Sequence, residues 1–217
     1  MLGTVVSEQG LRQRKKVRTR REIYEAAHRL FARQSFDAVT VAAVARAAEV
    51  SEPTVFNYFP TKEDLFFGGL ESFESQLVAA VKQRPPGESA TTAFMRELLE
   101  SSRTLDEDHR VDAIAAASRM IAASPALQVR EREIVAHHTR ALARSLAQET
   151  RGAPDDIEAF AVANALMGAH RGLVEHVRKR VEAGSKGTRL AAEFRRLARR
   201  AFGRLEAGLA GYAVKAR

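Results

Sequence analysis

The stretch of sequence from Thr19 to Leu65 constrains the fold most, because three helical patterns follow one another there with very little chain between them. Apolar residues recur at spacings of three and four, which is the period of an amphipathic helix. The first pattern begins at Thr19, whose spacing to Glu22 matches a capping box. Its apolar face consists of Ile23, Ala26, Ala27, Leu30 and Phe31.

Two further helices are predicted to begin at hydroxyl residues. Thr40 precedes the second helix and Ser51 the third, where Pro53 falls in the first turn and its missing N–H costs nothing. Only two or three residues around Glu49 and Val50 join the two helices. So short a link forces a sharp crossing, which is the arrangement of a helix-turn-helix. The rest of the chain also has helical patterns, so we expect an all-α fold.

These segments resemble a known family. The motifs A-x-x-L-F at 27–31, T-V-x-x-V-A at 40–45 and V-S-x-x-T-V-F-N-Y-F-x-x-K-x-x-L at 50–65 resemble the N-terminal domain of TetR-family transcriptional regulators. The family usually has Gly where this chain has Ser35. Because Gly suits a left-handed helix terminus, Ser35 is expected to cost about 1 kcal/mol or less in backbone strain.

The resemblance implies two sets of DNA contacts, one to phosphates and one to base edges. The phosphate set is Thr40, Ser51, Tyr58 and Lys62. The base set is Pro53, Thr54 and Asn57, with the exposed carboxylate of Glu52 as a further acceptor for cytosine. The alternative is structural: Ser51 and Thr40 act only as caps, Tyr58 lies at the edge of the core, and Lys62 is a solvated charge.

A basic segment precedes the helix-turn-helix. Residues 11–21 contain seven Lys or Arg and no acidic residue. We expect residues 1–18 to form a flexible arm that follows a minor groove or the DNA backbone, although basic runs are also common as solvated tails. The candidate contacts in the arm are Arg14, Lys15, Lys16 and Arg18.

Composition excludes several other classes of protein. The absence of Cys excludes disulfides and cysteine-ligated zinc, and no apolar run is long enough to span a membrane. With a polar, basic N-terminus, the chain is expected to be a cytoplasmic protein without a signal peptide. No Gly-rich phosphate loop, nucleophile elbow or metal signature is present, so we expect no enzyme, cofactor or metal.

The predicted domains are the arm at 1–18, the helix-turn-helix domain at 19–65, and a helical ligand-binding and dimerisation bundle at 66–217. The net charge of +8 suits a polyanion partner. Yet residues 171–204 alone carry eleven basic and three acidic side chains, so the excess does not belong to the DNA-binding end alone. Five of these basic residues, Arg178, Arg195, Arg196, Arg199 and Arg200, either bind an anionic ligand or form solvated helix faces.

The last two helices are predicted to form a dimer interface. Their stripes of apolar and small residues fit a four-helix bundle across a twofold axis, although part of each stripe must belong to the core of one chain. A twofold dimer predicts a palindromic operator with half-sites about 34–36 Å apart, or a multiple of that. The candidate interface residues are Ala165, Gly168, Gly172, Phe194, Leu197, Ala201 and Leu205.

The middle helices are expected to line an effector pocket. Segments 131–150 and 162–181 resemble a subset of TetR regulators, among them mycofactocin-system regulators, whose C-terminal domain is described as binding acyl-CoA-like ligands. That resemblance implies a small hydrophobic or acyl-CoA-like effector, whereas satisfied core hydrogen bonds or exposed histidines are the commoner reason for such polar residues. The pocket candidates are Met120, His137, His138, Phe160, Asn164, Met167, His170 and Arg171.

The function expected from these observations is a dimeric repressor that a small-molecule effector releases from a palindromic double-stranded operator. Two rival classes were considered. In an enzyme, His137 and His138 or Asp155 and Asp156 would be an acid–base set, but adjacent helical residues point about 100° apart and do not converge. A scaffold that has lost DNA binding is the second rival, against which the chemically competent residues of the recognition helix argue.

Overall fold

The computed structural model describes residues 3–153 and 155–209, and within them it contains helices and no strand, which confirms the predicted all-α fold. Residues 1, 2, 154 and 210–217, which the predicted domains include, lie outside this description. None of the described helices is both long and apolar enough to cross a membrane. The helices are α1 (Gly3–Phe31), α2 (Val41–Ala47), α3 (Glu52–Tyr58), α4 (Lys62–Lys82), α5 (Ala90–Ser101), the 3-10 helix η1 (Ser102–Asp106), α6 (Asp108–Ala123), α7 (Pro125–Glu149), α8 (Ile157–Glu182) and α9 (Gly187–Leu209).

The chain divides into two compact units. Unit 1 comprises the residues up to Leu70 together with Ser124–Leu127, and unit 2 comprises Glu71–Ala123 and the residues from Gln128 onward. The core of unit 1 is formed by apolar side chains of α1, α2, α3 and the first turns of α4. Its most deeply buried members are Ile23, Ala26, Ala27, Val44, Val55 and Leu65.

The predicted start of the first helix at Thr19 is wrong. α1 begins at Gly3 and runs without a break to Phe31, so residues 3–18 are helical rather than a flexible arm. Arg18 pairs with Glu22 at 3.0 Å across the expected boundary, and Arg21 pairs with Glu25 at 3.7 Å just after it; both pairs favour continuous helix. Thr19 therefore lies inside a helix and has no capping role.

The other predicted starts in unit 1 are confirmed. Thr40 and Ser51 have extended backbones, and each hydroxyl accepts a hydrogen bond from the amide three residues on, at 3.1 and 3.3 Å. At α4, Thr61 and Asp64 bond each other's amides reciprocally at 2.9 and 3.2 Å, which is a capping box. These caps fix where α2, α3 and α4 begin.

The link between α2 and α3 is a Schellman motif, a helix end closed by two backbone hydrogen bonds. The Val50 amide donates to the Ala45 carbonyl at 3.0 Å, and the Glu49 amide donates to the Arg46 carbonyl at 3.2 Å. The motif requires a left-handed residue after the cap, and Glu49 takes that position with φ of 55°. An acidic residue thus occupies a position that Gly favours.

The strain expected at Ser35 is absent, because Ser35 is not among the described residues with positive φ. The same helix ending recurs twice in unit 2. Arg151 follows α7 with φ of 57° and Gly184 follows α8 with φ of 81°, each within a matching pair of backbone hydrogen bonds. The left-handed positions are therefore set by these helix ends and not by the loop that contains Ser35.

Within unit 1, α4 approaches α1 closely at a pair of glycines. A Cβ atom on Gly69 would lie 2.7 Å from the Tyr24 hydroxyl, and one on Gly68 would lie 3.1 Å from the Tyr24 ring. Real Cβ atoms do not tolerate the first distance, so glycine at these positions allows the start of α4 to pack on α1.

Unit 2 is built around α8 and α9, which pack on each other, with α5 and η1 against α9 and α6 against α8. Beyond its apolar core, the unit buries Arg84. The Arg84 guanidinium donates to both carboxylate oxygens of Glu149, at 2.9 and 2.5 Å, and to the carbonyls of Val81 and Glu88. This clasp joins the end of α4 to the end of α7.

The left-handed conformation of Glu49 generates a stability prediction. We expect Glu49→Gly to raise the free energy of unfolding by about 1 kcal/mol, because Gly adopts positive φ without a Cβ clash. Gly184→Ala should lower it by a similar amount, for the same reason in reverse. Ser35→Gly is the matched control and should give no gain. Urea unfolding of the three variants measures the effect, and equal stabilisation by Ser35→Gly would contradict it.

Candidate functional site

α3 presents a continuous exposed stripe in unit 1. Val55 and Phe59 point into the core with 0% and 2% of their surface exposed, which turns the opposite face of the helix outward. Pro53, Phe56 and Asn57 lie on that outer face at spacings of three and four residues, and Phe56 is 45% exposed. A large apolar side chain held in solvent on a short polar helix is a candidate for contact with a thymine methyl group.

Phe56 was missed by the sequence analysis, although its spacing of three from Pro53 predicted the same face. The remaining candidates of the base set are also accessible. Glu52 is exposed, and Thr54 is half-buried because its hydroxyl lies 2.8 Å from the Ser51 hydroxyl. The structure therefore brings the predicted base set together on one surface.

The phosphate set divides into two kinds of residue. Thr40 and Ser51 are exposed caps, so their hydroxyls already accept amide hydrogen bonds and lie at the surface. Tyr58 is half-buried at the end of α3. The capping function is observed directly, and phosphate contact by these residues stays a prediction.

Lys62 is tied to its own unit. Its ammonium donates to the Phe36 carbonyl at 3.1 Å and lies 4.3 Å from the centre of the Phe36 ring, a cation–π contact. An ammonium group has three donors, so two remain for a phosphate. Lys62 therefore holds the loop after α1, and its contact with a phosphate stays a prediction.

Arg20 has a structural role that the sequence analysis did not assign. Its guanidinium donates to the Tyr58 carbonyl at 2.9 Å and lies 4.4 Å from the centre of the Phe59 ring. α1 thus clasps the last turn of α3 and fixes the direction of that short helix.

The basic residues predicted to contact DNA from the arm are all exposed on α1. Arg14, Lys15 and Lys16 point to different sides of the helix because adjacent residues differ by about 100°. Arg18 forms the exposed pair with Glu22, an interaction of small energy that leaves the guanidinium available. Residues 14–18 of α1 therefore carry positive charge around the circumference of the helix.

The predicted pocket residues do not converge in unit 2. Met167 and His170 lie on the buried face of α8, and His138 lies on the buried face of α7. Met120 is half-buried and His137 is exposed. The remaining three residues, Phe160, Asn164 and Arg171, lie on the exposed face of α8, so within one chain they do not share an interior site with Met167 and His170. Asn164 is satisfied by its own helix, since its amide donates to the Phe160 carbonyl at 2.8 Å.

His138 belongs to a buried polar cluster with α4. Its Nε2 atom lies 3.1 Å from the Ser75 hydroxyl, which itself donates to the Glu71 carbonyl, so Nε2 must donate. Its Nδ1 atom faces two acceptors, the Ile134 carbonyl at 2.9 Å and Glu74 Oε2 at 3.0 Å, so Nδ1 must donate as well. With both nitrogens donating, His138 is an imidazolium.

The pKa of His138 agrees with this assignment. Desolvation by burial lowers it, but hydrogen bonds to Glu74 and the Ile134 carbonyl and the charges of Glu74 and Glu71 raise it further, so the net pKa is above the ordinary value. Glu74 and His138 are thus a buried ion pair. No local sequence pattern indicates this pair, because the two residues are far apart along the chain.

His170 is buried and neutral. It lies between aromatic side chains, with ring centres 5.6 Å from Phe73 and 6.4 Å from Phe94. Burial lowers its pKa to about 4, and its Nδ1 atom has no hydrogen-bond partner. A buried nitrogen without a hydrogen-bond partner lowers the free energy of unfolding, so His170 Nδ1 is a destabilising feature of this core.

The predicted dimer residues fall into two groups. On α9, Phe194 is buried, and Leu197, Ala201 and Leu205 pack against the core of unit 2, so this stripe is largely the core of one chain. That outcome was the alternative considered for the stripe.

On α8, Gly168 and Gly172 are exposed and Ala165 is half-buried. They continue a surface that begins with Ile157 and Phe160, which are 73% and 45% exposed. The exposed apolar surface suited to a partner therefore lies on α8, where the small residues were predicted.

The basic excess of unit 2 is partly neutralised within the chain. Arg178 forms a bidentate pair with Glu131, and Arg195 donates to Asp106 at 2.6 Å and to the Ser102 hydroxyl at 3.2 Å. Arg196, Arg199 and Arg200 are exposed on α9. In the part of the chain that the structure describes, no group of His, Asp or Glu side chains is arranged to hold a metal ion.

Comparison with known proteins agrees with the arrangement of unit 1. Residues 23–68 match the family described as bacterial regulatory proteins, tetR family. The HTH-type transcriptional regulator TcmR of Streptomyces glaucescens is 37% identical over 85 residues, which is 39% of this chain. The match spans 38% of the length of TcmR.

Solved structures share the overall fold. The TetR family repressor AlkX from Dietzia sp. strain DQ12-45-1b aligns with a TM-score of 0.51 and 16% identity, covering 89% of this chain and 96% of AlkX. A protein from Mesorhizobium loti assigned to the same family aligns with a TM-score of 0.51 and 18% identity, covering 89% of this chain and 97% of that one. At these identities the likeness concerns the fold alone.

The buried neutral state of His170 predicts a loss of stability in acid. Because the folded-state pKa is about 4 and the unfolded value is 6.5, the contribution is complete above pH 6.5 and is lost as the pH falls toward 4. Between pH 7 and pH 5 the loss is about 2 kcal/mol. His170→Gln should remove that part of the pH dependence in urea unfolding, whereas the exposed control His137→Gln should retain it. An unchanged pH dependence in His170→Gln would contradict the assignment.

Proposed function

The chain carries the DNA-binding domain of the TetR family of bacterial regulatory proteins, and from this premise we propose that it is a dimeric repressor released from a palindromic operator by a small-molecule effector. The matched family and the curated relative are transcriptional regulators rather than enzymes. DNA recognition is assigned to unit 1 and effector recognition to unit 2.

The observation that carries the proposal is the outward stripe of α3. The apolar face of α3 is buried in the core of unit 1. The Ser51 cap fixes the start of the helix, and the hydrogen bond from Arg20 fixes its end. Pro53, Phe56 and Asn57 are then displayed without an intrachain function. Such a face suits the major groove, where an amide reads adenine and an apolar side chain contacts a thymine methyl.

The exposed surface of α8 supports a dimer. Ile157 and Phe160 are large apolar side chains in solvent, and no atom lies within 4 Å of a Cβ built on Gly168 or Gly172. Small residues beside exposed apolar ones allow two copies of a helix to approach across a twofold axis. A dimer also doubles the DNA contact area, which one short recognition helix leaves small.

α4 is the element through which an effector would act. It is one continuous helix whose residues 62–70 belong to unit 1 and whose later residues, with Phe73 and Glu74, belong to unit 2. An effector that binds one position of α4 better than another shifts the population of operator-competent dimers. Effector binding and operator binding then oppose each other by the same coupling free energy.

The contacts of the basic residues in unit 2 argue against the acyl-CoA hypothesis. It relied on arginines to hold phosphates, and Arg178 and Arg195 are already bound to Glu131 and Asp106. Releasing either would leave a carboxylate without its partner, so a phosphate group gains little from them. The exposed Arg196, Arg199 and Arg200 are compatible with a solvated helix face.

Two substitutions in unit 1 separate base reading from charge. Asn57→Ala should weaken binding to the preferred operator by about 1–3 kcal/mol and relax the preference at one base pair. Lys15→Ala should weaken binding to all sequences and lower the salt slope of the affinity by about 0.9. Titrations of labelled DNA from beside the gene, at several salt concentrations, measure both effects.

Lys186→Ala is the control for loss of charge. Lys186 pairs with Asp112 at 2.9 Å in unit 2, so its removal should leave affinity and salt slope unchanged. If Asn57→Ala kept full affinity and selectivity, the assignment of the recognition face to α3 would be wrong.

The dimer is tested on the exposed surface of α8. Gly168→Glu places a charge among small and apolar residues, so we expect the protein to sediment as a monomer and to lose operator affinity. Ala116→Glu, an exposed position on α6, is the matched control and should stay dimeric. Analytical ultracentrifugation distinguishes the species, and a dimeric Gly168→Glu protein would place the interface elsewhere.

A further inference from the structure

Two buried side-chain atoms of unit 2 lack hydrogen-bond partners, Glu74 Oε2 and His170 Nδ1. Glu74 is 1% exposed and His170 is 3% exposed, so bulk water does not satisfy either atom. Such atoms are uncommon because each costs the desolvation of a polar group without a compensating bond. Their presence in the proposed effector unit points to a ligand that completes them.

The ion pair with His138 does not satisfy Glu74 Oε2. The two atoms are 3.0 Å apart, but His138 Nδ1 lies equally close to the Ile134 carbonyl, at 2.9 Å. The carboxylate oxygen therefore shares one N–H donor with a carbonyl and has no further donor of its own. A carboxylate in this state accepts a further hydrogen bond readily.

The surroundings of His170 are mostly apolar. Phe73 precedes Glu74 on α4 and lies against the His170 ring, which Phe94 contacts from α5. Met167 and Leu77 are buried in the same core. A ligand held here needs an apolar body, and only a few polar groups can be accommodated beside it.

The chemistry of the acceptors selects the polar group. A carboxylate oxygen has only lone pairs, and a neutral imidazole has one nitrogen that accepts. A ligand carboxylate or phosphate offers no donor to Glu74, and its charge would lie beside Glu74 and near Glu71. An alcohol, a phenol or an amine offers the missing donor, and an ammonium also gains from the carboxylate charge.

We propose that the effector of this chain is an apolar molecule bearing an alcohol, phenol or amine that donates to Glu74 Oε2, and not an acid or a phosphate ester. This inference rests on the proposed effector-controlled function. Glu74 is the residue that selects the class of ligand, and His170 Nδ1 is a second unpartnered polar atom in the same unit.

The test uses probes that share one apolar body and differ in one group: a naphthol, a naphthylmethylamine and a naphthoate. Binding to the full-length dimer is measured by isothermal titration calorimetry. We expect the amine and the naphthol to bind at least about tenfold more tightly than the naphthoate, which is the scale of one hydrogen bond. Equal or tighter binding of the naphthoate, or no binding of the amine and the naphthol at millimolar concentration, would overturn the proposal.

A substitution at Glu74 tests whether this carboxylate causes the preference for the amine over the naphthoate. Glu74→Gln removes the charge and keeps the size, so it should weaken the amine about tenfold and narrow its advantage over the naphthoate. Glu100→Gln, at an exposed position of α5, is the matched control and should bind all probes as the unaltered protein does. Unchanged amine binding by a folded Glu74→Gln protein would overturn the role of Glu74.

A parallel titration with operator DNA separates this inference from the proposed function. If the probes bind with the expected selectivity but the protein binds no DNA specifically, the repressor proposal is wrong and the proposed ligand class remains. If the protein binds DNA specifically, no probe affects that binding, and the naphthoate binds as tightly as the amine, the proposed ligand class is wrong and the DNA-binding assignment remains.

Discussion

The short Schellman link between α2 and α3 is the constraint on which the candidate DNA surface depends. It lets the chain reverse within a few residues, so that Val44 of one helix and Val55 of the other enter the same core. Because α3 has only seven residues, its direction is not stabilised by its own length. The cap at Ser51 and the Arg20 clasp on the Tyr58 carbonyl supply that direction from outside. The outward position of Asn57 and Phe56 is thus a consequence of interactions on the opposite side of the helix.

The elements of unit 1 were predictable wherever the apolar period was strong. The caps at Thr40 and Ser51 are local signals, and both were confirmed. The start of α1 was wrong because residues 3–18 carry little apolar period, and hydroxyl and carboxylate spacing at Thr19 and Glu22 imitates a cap within a continuous helix. The left-handed residue was predicted at Ser35 but is Glu49. Positive φ depends on the hydrogen bonds of a helix end, and the substitution of Ser for Gly at one position does not indicate where such an end lies.

The interior of unit 2 was much less predictable, for a physical reason. Helical period shows that a residue faces a core, but not which residue of another helix it meets there. His138 and His170 were singled out as polar residues on apolar faces, and both are buried. Glu74 was not, because a glutamate on a long helix is ordinarily solvated. The ion pair of Glu74 with His138 and the clasp of Arg84 on Glu149 each join residues more than sixty positions apart, and no local pattern signals such a meeting.

The two histidines of unit 2 have opposite protonation states for opposite reasons. His138 has two acceptors at Nδ1 and a hydroxyl at Nε2, so the charged form is stabilised in spite of burial. His170 has aromatic rings around it and no carboxylate partner, so the neutral form is favoured and its pKa falls to about 4. The Glu74 carboxylate faces His138, and Glu74 Oε2 and His170 Nδ1 are both left without a well-directed hydrogen bond. A ligand donor at that oxygen would add a hydrogen bond without disturbing the His138 pair. Glu74 lies on α4, the helix that begins in unit 1. The free energy of ligand binding at Glu74 would therefore act on a helix that the DNA-binding unit shares.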